Sequence, residues 1–360
     1  MVRRLACGCG AMTFNIAILL IEDGLASGAI YAMMALGFVL VFNVTRVIFV
    51  PFGDLVAYAA LTLASFESQR TPGTIWLVGV LAIGAFLVEL FHLWRVGKLR
   101  RIPRAFVLYI GLPAVPLAAT LLLAQTPIPQ AVAMLLTLAL VLPIGPLLYR
   151  VVYEPVANAP VLVLLIISVA LHFAVSGLAL LFFGPEGVRT QSLVRGSYSL
   201  LGLAVPAQLT LILIATAALS TVLLLFFNST LTGKAMRATA ANREGARLVG
   251  IRTATMGSSA FIFAGVIATV AGILISPTTT IYYDTGLIVG LKGFVGSVVG
   301  GFVSYPLSVL GAAIVGQIES FSSFYASALK EAIVFAAIIP IVLWRWLLTA
   351  QVVVDEPEDE

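Results

Sequence analysis

The sequence has 360 residues, 61% of them hydrophobic and only 10% charged, with a mean hydropathy of +1.11. Soluble domains carry about 25% charged residues, so this composition excludes a water-soluble core, and the polar interruptions are too short for a soluble catalytic domain. The net charge of +4 sits in loops between apolar runs, which makes the lipid bilayer the partner of this surface and gives no footing to a nucleic acid.

The apolar runs are continuous rather than alternating, so the backbone must satisfy its hydrogen bonds inside helices and not in a barrel. The expected fold is therefore all-α, a polytopic bundle of about eight to ten spans with broken helices. Cys7 and Cys9 lie in the N-terminal lead. Leu5-Ala6-Cys7-Gly8 is like a lipoprotein cleavage box, but no apolar run precedes it, and two closely spaced cysteines give no disulfide framework.

The first run, Phe14 to Phe42, contains Gly24, Gly28 and Gly37 as a small-residue stripe for close helix packing. Asn43-Val44-Thr45-Arg46 follows, and then Pro51-Phe52-Gly53-Asp54 opens a shorter run to Ala64. A Pro-x-Gly-Asp break between two apolar pieces predicts a discontinuous helix, tolerated at membrane depth only inside protein or beside water. Asp54 is there either an interfacial cap or a pathway residue. Ile75 to Trp94 is a span, and Arg95 to Arg104, basic and without an acid, places its exit in the cytoplasm. Ala105 to Ala124 returns outward, Ala131 to Tyr149 comes back, and Arg150 to Val156 forms a loop. Val161 to Phe183 crosses outward before a polar external loop from Gly184 to Pro206, and Ala207 to Phe227 returns.

The next segment, Gly233 to Ile251, carries Lys234, Arg237, Arg243 and Arg247 against Glu244, with Arg252 just beyond. Its alanines suit one short helix, and Gly250 followed by Ile251 suits a helix stop. A basic helix between two spans is cytoplasmic. It is either a solvated loop facing lipid headgroups or a docking surface. Met256 to Ile275, Gly286 to Val303, Pro306 to Phe324 and Ala332 to Leu348 complete the spans, and Asp355 to Glu360 form an acidic tail.

Neither His92 nor His172 has a second His, Cys or acid at i+3 or i+4, which argues against a metal site. No P-loop, HExxH or Ser/His/Asp set is present. If transport is driven by ATP, the ATPase must be another polypeptide, and this chain must present it with a surface. The embedded ionisable residues are Glu89, Lys292 and Glu319. Glu89 is expected to snorkel to the interface, while Lys292 and Glu319 are expected to pair across the hairpin of residues 286–324 or to cap its helices. Such poverty of embedded charge counts against an ion-driven carrier.

Several pieces then point in one direction. Gly24-Leu25-x-x-Gly28-x-x-Tyr31-Ala32-x-x-Ala35-Leu36-Gly37, Arg150-Val151-x-Tyr153-x-Pro155, and Gly233-x-x-x-Arg237-Ala238-x-Ala240-x-Asn242-x-x-x-Ala246-x-Leu248-x-Gly250-Ile251 occur in order. Gly290-Leu291-Lys292-Gly293-Phe294, Gly300-Gly301 and Glu319-x-x-Ser322-Ser323-x-Tyr325 before Lys330-Glu331 follow. Together they resemble the permease subunits of bacterial branched-chain amino acid ABC importers, a family that also takes in urea and amide permeases. The stretch Phe49-Val50-Pro51-Phe52-Gly53-Asp54 keeps the glycine and acid of the family's Asn-Phe-Ala-His-Gly-Glu but loses Asn and His, and the runs near 105–124 and 130–149 are additional. A more aromatic, less polar lining would favour aromatic or other hydrophobic carboxylates over leucine.

The resemblance implies a multi-pass bacterial inner-membrane permease domain over residues 1–350 and a cytoplasmic tail over 351–360. Residues 233–251 would be a coupling helix, with Arg237, Asn242, Glu244, Arg247 and Gly250 meeting an ATPase. It implies two ATPase subunits holding ATP and Mg²⁺, no cofactor on this chain, a second homologous permease and a periplasmic solute-binding protein. The pathway would run beside Gly28, Tyr31, Gly37, Pro51, Phe52, Gly53, Asp54, Lys292, Gly293, Gly300 and Gly301. The alternative is an ion-coupled secondary transporter or channel for a small organic solute.

Overall fold

Hydrophobic length dictates the elements. The structure, a computed structural model, describes residues 14–97, 99–194, 196–200, 203–302, 304–340 and 343. Cys7, Cys9, Lys98, most of the last expected span beyond residue 340 and the acidic tail lie outside the described residues. Helix α1 (Phe14–Thr45) is followed by α2 (Phe52–Glu67) and α3 (Thr74–Val96). Then come α4 (Ile102–Leu123), α5 (Gln130–Tyr153) and α6 (Val161–Phe183). After a small antiparallel hairpin of β1 (Ser197–Leu200) and β2 (Leu203–Pro206), α7 (Ala207–Ser229) leads to two short helices, α8 (Leu231–Ala241) and α9 (Arg243–Leu248). Helices α10 (Thr253–Ile275), α11 (Thr285–Val299), α12 (Tyr305–Tyr325) and α13 (Lys330–Ala336) follow. Among the described residues, eight helices are long and apolar enough to cross a membrane.

The all-α expectation holds, and the break between α1 and α2 falls where proline and glycine placed it. Arg46 has a positive φ of 60° and ends α1, while Pro51 stands at the N-cap of α2. With 16 and 15 residues, α2 and α11 fall short of the roughly 20 needed to span a bilayer. They cross backbone to backbone. A Cβ on Gly53 would stand 2.8 Å from the Gly286 carbonyl carbon and 3.0 Å from the Gly290 Cα. Only glycines permit that approach.

Helix α1 is the axis of the bundle. It packs on α12, α10, α11 and α7, and 78% of its most apolar window is buried, against 11% for α4. The outer helices turn apolar side chains outward, including Trp76, Val115, Leu122, Phe173 and Leu181, as lipid rather than protein is their neighbour.

Contacts between loops sort the chain into two faces. Arg46 donates to the Ala240 carbonyl at 3.1 Å and Arg243 to the Ala157 carbonyl at 2.9 Å, which joins α1 to α8 and the turn after α5 to α9 on one face. On the other, Arg189 reaches the Pro277 carbonyl at 2.9 Å and the Gln191 amide donates to Glu67 at 3.0 Å. Two expectations need correction here. Residues up to Tyr153 stay helical, through a π turn, and the external loop carries the hairpin, because Leu203 to Pro206 can pair with Ser197 to Leu200 across a two-residue connection.

Candidate functional site

A cavity of about 590 Å³ opens on the face opposite the basic segment. It lies among the first half of α1, the start of α7, the end of α10, α11 and the α12–α13 junction. Its floor is an ion-pair cluster. Lys292 donates from Nζ to Glu319 Oε1 at 2.6 Å and to Glu331 Oε1 at 3.1 Å, and the Tyr31 hydroxyl donates to Glu319 Oε2 at 2.6 Å. The Lys292 ammonium also lies 5.7 Å from the Tyr31 ring centroid. A lysine only 4% exposed needs such partners, since an unpaired buried ammonium is strongly disfavoured. The expected Lys292–Glu319 pair is present, with Tyr31 and Glu331 added to it.

A second polar pair lies deeper. Asp54 is 1% exposed, and its Oδ2 is 2.7 Å from His172 Nδ1, while Oδ1 has no partner. Asp54 is therefore not an interfacial cap. It ties the start of α2 to the middle of α6, because a carboxylate facing helices on every side can only be kept by a hydrogen-bonding partner. The sequence held the signal for this pair: two isolated polar groups at membrane depth each require a mate. Glu89 likewise does not snorkel. It is bonded to Arg150, which also pairs with Glu154 one turn on.

The glycines named in sequence pack helices rather than line the cavity. Gly28 faces Ala313, with 2.9 Å from an added Cβ to its Cα, Gly37 holds the Phe52 ring, Gly293 meets Met34 and Gly300 meets Ser308. Gly301 takes a φ of 64° in the turn between α11 and α12. Phe52 is fully buried and stacks edge-on with Phe38 at 5.1 Å. Of the residues named for a pathway, Tyr31 and Lys292 line this cavity. Glu22, Asp23, Glu319, Lys330 and Glu331 line it as well and were not in that set.

On the opposite face, the segment expected as one helix is two. Asn242 adopts φ −148° and ψ 106°, ends α8, and caps α9 by accepting from the Gly245 amide at 2.9 Å. Asparagine favours such a cap over a helix interior because its short side chain competes for backbone donors. Gly250 has φ 86°, and the Ile251 amide bonds the Ala246 carbonyl at 2.9 Å while the Gly250 amide bonds that of Arg247 at 3.0 Å. This is the paired Schellman closure that the Gly-Ile sequence predicts. Arg237 donates to Asn228 at 3.1 Å, and Arg247 pairs with Glu244 at 3.2 Å and donates to Thr253 at 3.1 Å. Leu231, Leu248 and Val249 stand 85%, 89% and 77% exposed beside these cations, an apolar and basic surface of the kind that partners cover.

Long lipid-facing helices around a charged cavity at one end, with a basic apolar surface at the other, define a multi-pass membrane protein. The family model described as the branched-chain amino acid transport system permease component matches residues 114–343, and the chain belongs to that family. It is 29% identical over 201 residues to the high-affinity branched-chain amino acid transport system permease protein LivH of Salmonella typhimurium and, equally, of Escherichia coli. Those alignments cover 54% of this chain and 65% of LivH, so the chain matches just under two thirds of the relative's length. With BraD of Pseudomonas aeruginosa, named as a permease of the same kind of system, identity is 25% over 66% of this chain and 80% of the relative. No solved structure matches.

Proposed function

We propose that the chain is the membrane-spanning permease subunit of an ATP-driven importer in the bacterial inner membrane. Its cargo would be branched-chain amino acids or a related small hydrophobic solute delivered by a periplasmic binding protein. The observation that carries this reading is the family match across residues 114–343, a stretch that holds the basic segment and Lys292, Glu319 and Glu331 of the cavity floor. The chain itself would not be an enzyme. ATP and Mg²⁺ would be held by two partner ATPase subunits, and a second homologous permease would complete the pathway.

In this reading α8 and α9 form the seat of the ATPase. Their exposed arginines steer and register an acidic groove, and Leu248 and Val249 supply apolar contact. Closure of the ATPase pair would shift α7 and α10, the spans to which this segment is tied, and change access to the cavity by rigid-body movement. Replacing Arg237 and Arg247 by Glu reverses two charges on an exposed surface. ATP-dependent leucine uptake by the reconstituted complex should fall at least roughly tenfold, as for the loss of desolvated charge pairs, with the permease still in the membrane at normal amount. Uptake unaffected by the double reversal, or uptake that follows an ion gradient when ATP is depleted, would remove the proposal.

A further inference from the structure

We propose that the turn joining α3 to α4 seats the headgroup of an anionic phospholipid of the cytoplasmic leaflet. The stretch from Arg95 to Arg104 holds five cations and no acid, and Arg95, Arg100, Arg101 and Arg104 are all exposed. Among the described residues, none of these four arginines pairs with a carboxylate. Arg95 instead lies over the Phe91 ring, 4.6 Å from its centroid. The turn belongs to the same face as the basic segment. Glu89, near the end of α3, is bonded to Arg150 at the end of α5, and Arg243 of α9 donates to the Ala157 carbonyl just beyond it.

Two further features call for an anion with an apolar body. Gly97, at φ 69°, closes α3, and a short 3-10 turn over Leu99–Arg101 leads straight into α4. Arg100, Arg101 and Arg104 therefore crowd the first turn of a helix, where cations oppose its dipole, and Arg101 at the N-cap makes no side-chain capping bond. A phosphate answers both needs, since it pairs with guanidinium groups and accepts from first-turn amides. Beside the turn, Trp76, Val80, Ile83, Leu87, Phe91 and Trp94 form one stripe along α3, each more than half exposed. From Trp76 to Trp94 the helix rises about 27 Å, close to the roughly 30 Å of bilayer hydrocarbon. That sets Trp94 at the membrane interface and the arginines at headgroup level. A soluble acidic protein would meet the cations but not this stripe. A phospholipid meets both, with its acyl chains along α3 and its phosphate in the turn, and such a basic corner draws anionic lipids by charge.

The test reads Trp94 fluorescence in the full chain, with Trp76, Trp344 and Trp346 replaced by Phe, in phosphatidylcholine nanodiscs. A small share of the lipid is dibrominated phosphatidylglycerol or, in parallel, dibrominated phosphatidylcholine. Bromine quenches indole at contact, so the two probes give the relative affinity of the two headgroups for this corner. Phosphatidylglycerol should be favoured at least about fivefold, the effect of a single arginine near an anionic surface. Arg100→Gln combined with Arg101→Gln and Arg104→Gln should abolish that preference. A chain keeping Trp76 as its one tryptophan should show none. The unaltered chain gives a second reading that needs no tryptophan replacement. Its thermal midpoint in detergent should rise more with added phosphatidylglycerol than with phosphatidylcholine, and the triple Gln variant should lose the difference. Equal quenching by the two lipids, a preference untouched by the triple variant, or the same preference at Trp76 would overturn the proposal. Displacement of the brominated lipid by glycerol 1-phosphate would reassign the turn to a soluble anion, and loss of the preference when ATPase subunits are added would reassign it to them. Either result removes the phospholipid seat.

Discussion

At the scale of single residues, the buried pairs show how this chain holds charge among lipid-facing helices. Asp54 and His172 illustrate the energetics. Removing one member of a buried hydrogen-bonded pair costs about 3 to 5 kcal/mol, because the other is left without compensation. His172→Ala should therefore lower the thermal midpoint of the purified protein markedly in detergent. The Asp54→Ala/His172→Ala double variant should be less unstable than the two single losses added together. Strict additivity in a thermal-shift series would mean that the contact contributes nothing. Gly53 is the other sensitive position. With Gly286 and Gly290 against it, Gly53→Ala should prevent accumulation in the membrane, whereas alanine at Gly79, which faces open space, should be tolerated.

At the scale of elements, the basic segment tests how local chemistry sets shape. Asn242→Ala removes the cap of α9 and should cost about 1 kcal/mol, so that amides of residues 245–249 exchange hydrogen roughly fivefold faster. Equal exchange in both proteins would mean that the backbone keeps the break without its cap. Much of this was legible in advance. The helix stop at Gly250 and the discontinuity at Pro51 follow from one glycine and one proline, whose conformational demands are local. The division at Asn242 was not read, because the surrounding alanines carry strong helix propensity and one capping side chain outweighs it only in three dimensions. The partners of Asp54 and Glu89 lie 118 and 61 residues away in sequence, beyond any periodic pattern. Lys292 with Glu319 was readable because a short hairpin brings them together.

At the scale of the whole molecule, the loops fall on two faces, and every long helix joins one to the other. That arrangement makes a labelling prediction. In a background with Cys7 and Cys9 replaced by Ser, single cysteines at Arg100 and Arg252 should react with a membrane-impermeant maleimide only from the cytoplasmic side. One at Tyr198, which is 61% exposed in the hairpin, should react only from outside. Any pair that breaks this rule would require another threading of the chain. The hydropathy pattern alone gave the order of the long helices and a range of about eight to ten for their number, against eight among the described residues. It could not show that α2 and α11 fall short of a full crossing and meet each other, since an apolar run reports its solvent and not its neighbour.

The joint at Asn242 has a consequence for how force would travel. Helix α8 is fastened to the end of α7 by Arg237 and to α1 by Arg46, whereas α9 is fastened to the root of α10 by Arg247 and to the turn after α5 by Arg243. A hinge between them means that a push on one half need not turn the other. A single body gripping both halves would thus hold two separate handles, and tilting it would drive α7 and α10 as two rigid bodies by unequal amounts.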